Sequence, residues 1–154
     1  PASGLYNVRN FSVGEHAVLE ARVLLPQLED AAATIGFVGL DDDRHALALI
    51  YNSRVSGQWG FQGHNRTGAS YITRPVGTAI EANRWFTVRI VTSADPLPTA
   101  TLSIDGVAMS TLTGDEVPDQ PLCVEVQVWN QFGAAGRWSD TALWVDYVRV
   151  EQDR

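Results

Sequence analysis

Apolar and polar residues alternate with a period of two along most of this chain, a pattern that half-buried β-strands satisfy and helices do not. In residues 122–130, Val124, Val126 and Val128 point one way and Glu125, Gln127 and Trp129 the other. Residues 16–25 repeat the pattern, with Ala17, Leu19, Ala21, Val23 and Leu25 opposite Glu20 and Arg22 until Pro26 ends the run. Further strands are expected at 34–40, 45–52, 55–64, 69–74, 85–92, 99–105, 107–112 and 142–151. Asp105-Gly106 joins two of them with a turn that favours positive φ. No window of helical length carries a 3.6-residue period, and residues 30–33 have room for one helical turn. Short strands separated by turn signals predict an antiparallel sandwich or barrel. The length of 154 residues fits one domain spanning 1–154.

Charge narrows the partners. Eleven cations, all arginine, face 18 acidic residues, for a net charge of -7. That sign opposes a surface built to neutralise phosphates, so nucleic acid is not an expected partner. No apolar stretch reaches the length of a membrane-spanning helix, so no insertion of that kind is expected. Cys123 sits in an apolar alternating run and is expected in the core.

Four strings, in order, resemble the laminarinase and lichenase-type β-glucanases of the concanavalin A-like lectin/glucanase superfamily, related to family 16 glycoside hydrolases. They are VLEARVLLP (18–26), the pair FTVRIV (86–91) and LSIDGV (102–107), VQVWNQFGAAGRW (126–138), and WVDYVRV (144–150). The resemblance covers residues 17–151. It implies an all-β, antiparallel jelly-roll β-sandwich (concanavalin A-like) whose concave sheet holds saccharides. One departure bears on chemistry. Where these glucanases carry a glutamate-rich EIDxxE strand, this chain reads HALALIYN, residues 45–52. Retaining hydrolysis needs two carboxyl groups about 5 to 5.5 Å apart, and leucine and isoleucine supply neither nucleophile nor acid.

Polar rows mark the candidate ligand site. Gln58, Gln62 and His64 are expected on one face of their strand, and Glu125, Gln127 and Trp129 on one face of theirs. If both rows share the concave face, they offer amides and a carboxylate to sugar hydroxyls, with Trp129 and Trp138 as apolar platforms. The alternative is rows that face solvent and tryptophans that pack over the core. Trp59 and Trp85 are expected in the core. For metals, Asp146 has two readings: a ligand of structural Ca²⁺, which the resemblance implies, or the partner of a nearby arginine. Asp41, Asp42, Asp43 and His45 crowd one turn, where solvated acidic side chains are the ordinary reading. The three histidines share no zinc-ligand spacing.

Three functions follow from these features. The first is a noncatalytic, lectin-like carbohydrate-binding module, extracellular or on a particle surface and part of a larger protein, with a polysaccharide or oligosaccharide as partner. The second is an assembly module, such as a viral or surface-layer decoration domain, in which exposed aromatics mediate protein contacts including self-association. The third is a diverged hydrolase or lyase using Glu125 with His64, provided their strands adjoin.

Overall fold

The computed structural model describes residues 2–6, 11–13, 16–39, 45–53, 55–64, 71–77, 80–130 and 142–152. Among them, eleven strands form two antiparallel sheets, the jelly-roll β-sandwich that the resemblance implies and one of the two architectures the alternation allows. One sheet carries, side by side, β1 (Ala2–Tyr6), β10 (Cys123–Asn130), β3 (Ala31–Val38), β4 (Ala46–Asn52), β5 (Trp59–Gly63) and β6 (Ile72–Pro75). The other runs β11 (Trp144–Gln152), β2 (Ala17–Leu24), β7 (Phe86–Ser93), β8 (Thr99–Ile104) and β9 (Val107–Thr113). A 3-10 turn at Gly114–Glu116 follows β9.

Alternation places the core between the sheets. Ala17, Leu19, Ala21 and Val23 of β2, Val88 and Ile90 of β7, and Leu102 of β8 are fully buried there, while Arg22 and Arg89 stay in water. From the other sheet come Ile35, Phe37, Leu47, Leu49 and Phe61, with Val124, Val126 and Val128. β3 is buried from Ala31 to Phe37 on both faces. Its large residues meet the core, and its opposite face presents Ala32, Thr34 and Gly36, which are small enough to floor a depression. Two devices shape the strands. The Asp105-Gly106 turn has the expected positive φ at both residues, 50° and 80°, and Asp105 Oδ1 accepts a 2.8 Å hydrogen bond from the Thr87 amide. In β11 a bulge between Val145 and Tyr147 turns Asp146 and Tyr147 both outward while Val145 and Val148 keep packing inward.

Several expectations need correcting. Residues 31–33 begin β3 rather than a helical turn, following Asp30 at φ 52°. β5 starts at Trp59, so Gln58 belongs to the preceding turn and not to the polar row of that strand. β1 was not expected: its sequence, ASGLY, has no periodic signal and becomes a strand by pairing with β10. Trp59 is in the core, whereas Trp85 is half-buried on the outer side of the five-stranded sheet, beneath the Arg22 guanidinium.

Candidate functional site

The outer face of the six-stranded sheet is built by register. Glu125 of β10 pairs with Gly36, Gly36 with Ala48, and Ala48 with Gln62 of β5, making one row across four strands. The next row runs from Gln127 to Thr34 to Ile50, and the one after it from Trp129 to Ala32 to Asn52. Because Val124, Val126 and Val128 take the core side of β10, Glu125, Gln127 and Trp129 must take this one. A cleft of about 460 Å³ lies over the rows, lined by Gln62, Glu125, Gln127 and Trp129 together with Thr34, Asn52 and Tyr71.

Between Glu125 and Gln62 the floor carries only Gly36 and the methyl group of Ala48. A Cβ built on Gly36 would lie 2.3 Å from the Leu47 carbonyl oxygen and 2.6 Å from Ala48 Cα, both backbone atoms. Only a residue without Cβ fits there. With Ala48 beside it, the row leaves a trough two strands wide, with the Glu125 carboxyl on one bank and the Gln62 amide on the other. Interstrand spacing sets β10 and β5 about 14 Å apart, since β3 and β4 intervene. Their strands therefore do not adjoin, and the condition on which Glu125 and His64 were paired as acid and base is not met.

His64 does not line the cleft. It is 9% exposed, stacks on His45 with ring centroids 4.3 Å apart, and donates its amide to the Glu116 carbonyl at 2.8 Å. Gln58 lines a separate groove with Trp59, Pro75 and Val76. Trp138 lies outside the described residues, as do Asp41, Asp42 and Asp43. Asp146 accepts a 2.8 Å hydrogen bond from Arg22 Nη1, the ion-pair alternative of the two readings. Among the described residues no three His, Cys, Asp or Glu side chains converge to hold a metal ion.

Thr34, Asn52 and Tyr71 were not singled out from sequence. Thr34 carried a usable signal, as the one polar side chain in the run AAATIGFV. In β4 the residues facing the cleft are Ala46, Ala48, Ile50 and Asn52. Among the described residues that line the cleft, Glu125 is the one carboxylate.

Burial raises the Glu125 carboxyl above its ordinary 4.5 by disfavouring the charged form. The folded protein then holds this proton at a pH where the unfolded chain has released it. The contribution to stability is therefore most favourable below about pH 4.5 and is lost as pH rises through the folded value. Glu125→Gln is expected to raise the melting temperature at pH 8, with the gain shrinking on acidification towards pH 4.5. Melting curves across that range check it, and a gap independent of pH would contradict it.

The backbone is similar to those of several solved glucanases. A pseudo β-1,3-glucanase of Mycobacterium tuberculosis superposes with a TM-score of 0.73 at 16% identity, over 97% of this chain and 68% of that one. A β-1,3-glucanase from Mycobacterium marinum gives 0.70 at 17%, over 96% and 67%. The Bacillus licheniformis β-glucanase gives 0.66 at 13%, over 96% and 70%. No protein-family model matches the sequence, and no curated protein matches it significantly. The similarity shows the fold, the jelly-roll β-sandwich of these glucanases, and this chain spans about two thirds of their length.

Proposed function

We propose that the cleft binds a neutral polysaccharide segment and does not hydrolyse it. The observation that carries this reading is the cleft's composition. Gln62, Gln127, Asn52 and Thr34 offer donors and acceptors to hydroxyl groups, Trp129 and Tyr71 offer flat apolar surface, and the trough over Gly36 and Ala48 leaves room for a ring. A single described carboxylate stands where retaining and inverting hydrolysis each require two. The structural neighbours include β-1,3-glucanases, a pseudo β-1,3-glucanase and a transglycosylase solved with NAG, which favours a polysaccharide over other ligands of similar polarity.

A ligand that binds the native state alone stabilises it by about 2.7 kcal/mol at a hundredfold excess over Kd. For a chain of this size that raises the melting temperature by roughly 5 to 10 °C. The test is thermal melting against soluble β-1,3- and mixed-linkage glucan oligosaccharides, with reducing ends assayed in the same samples. A saturable rise without new reducing ends is expected. No rise with any glucan would overturn the binding, and new reducing ends would overturn the noncatalytic reading.

A further inference from the structure

The opposite face of the sandwich, the outer side of the five-stranded sheet, carries an aromatic patch that the cleft does not use. Trp144 of β11 is 59% exposed and pairs with Leu24 of β2. Trp85 immediately precedes Phe86, the β7 partner of Val23, and so comes beside Leu24 from the other side. One row along, Tyr147 pairs with Arg22, and Arg22 with Thr87. The Arg22 guanidinium lies 5.4 Å from the centre of the Trp85 ring, and Tyr147 donates its hydroxyl to Glu20 at 2.8 Å, so both rings are held in place before any ligand arrives.

The charges of this face cancel. Arg22 pairs with Asp146, Arg89 with Glu20, and Arg149 with Glu151. These three cations and three anions balance in a chain whose total is -7. With each of these guanidiniums next to a carboxylate, the described residues of the face offer no uncompensated charge to an anionic or cationic partner. It suits a neutral one. Size selects further. Strand spacing separates Trp144 from Trp85 by about 10 Å across the sheet, and the rows of Trp144 and Tyr147 lie roughly 7 Å apart along it. That patch is far below the roughly 800 Å² per partner of a specific protein interface, and beyond it the face turns to ion pairs and threonine. It is the size of two pyranose rings laid side by side, whose C–H faces stack on indole while their hydroxyls reach Thr87, Asp146 and the Tyr147 oxygen.

We infer that Trp144, Trp85 and Tyr147 form a second saccharide-binding surface, a flat platform for a neutral insoluble polysaccharide, separate from the cleft. The inference stands on the aromatic patch alone and does not require the cleft to bind.

Adsorption to insoluble β-1,3-glucan particles tests it, with the wild type, Trp144→Ala, Trp144→Phe and Trp129→Ala compared at equal concentration. Trp144→Ala is expected to weaken adsorption at least about tenfold, as truncation of an aromatic anchor does, while Trp144→Phe keeps most of it. Because Trp144 is exposed, the alanine variant should melt as the wild type does. Trp129→Ala removes the cleft's share of adsorption, so the loss caused by Trp144→Ala is expected again when it is made in the Trp129→Ala background. Adsorption by Trp144→Ala equal to that of the wild type, including none in either, would overturn the inference. So would sedimentation of the wild type as a dimer that Trp144→Ala dissociates, which would make the patch a contact between copies of this chain. Soluble oligosaccharide binding reports on the cleft separately, so failure of one site is told apart from failure of the other.

Discussion

Gly36→Val is expected to lower the melting temperature by about 10 °C. The new Cβ would sit within 2.8 Å of the Leu47 carbonyl oxygen, Ala48 Cα and Ala48 Cβ, of which two are backbone atoms held by the β3–β4 ladder. No rotamer change relieves such a contact, so the strands must separate or shift. Overpacking of this kind costs about 1 to 3 kcal/mol and more when the obstacle is backbone. At roughly 2 to 4 °C per kcal/mol for a chain of this length, a penalty of about 3 to 4 kcal/mol gives the stated shift. The comparison is Gly77→Ala, whose Cβ meets nothing within 4 Å. That variant should melt within about 2 °C of the wild type, the usual range for an open surface position. Equal melting temperatures for the Gly36 and Gly77 variants would contradict this account of the cleft floor.

The second large effect falls on binding. Trp129→Ala is expected to weaken oligosaccharide affinity about 10- to 100-fold with little change in stability, since the half-buried indole lines the cleft and truncated aromatic anchors often cost 2 kcal/mol or more. Its neighbour Val128 separates the two roles. Val128 is 1% exposed and faces the core, so Val128→Ala should cost stability on the order of 2 kcal/mol and leave affinity within about threefold. Calorimetric titration and melting of both variants check the pair. If Val128→Ala lost affinity as Trp129→Ala does, the alternation would not be separating a binding face from a core face.

These contrasts also show what the sequence made legible. The period-two pattern of residues 122–130 assigned each β10 side chain to its face, because a strand has no other way to arrange valines that all need burial. The Asp105-Gly106 turn was equally plain, since the backbone there requires positive φ. What a period does not carry is strand order. Glu125 and His64 each read as polar residues on strands, and the two intervening strands that hold them apart appear only when the sheet is assembled. Gln58 falls outside its row because the strand begins four residues later than expected, at Trp59, whose ring packs 4.9 Å from Tyr51 and 5.7 Å from Phe86. β1 had no signal of its own, and Trp85 was expected in the core because its sequence neighbours are. The cleft floor was hidden for a simpler reason. Gly36 and Ala48 look like ordinary strand residues until register sets them side by side between Glu125 and Gln62.

The most direct test of the proposed function is amide chemical-shift mapping of the labelled protein titrated with a short β-1,3-glucan oligosaccharide, the sugar signals being followed in the same tube. Saturable shifts at Gln62, Gln127 and Trp129, with the oligosaccharide intact at the end, are the predicted result. Shifts that leave these residues untouched, or the appearance of shorter sugars, would contradict it.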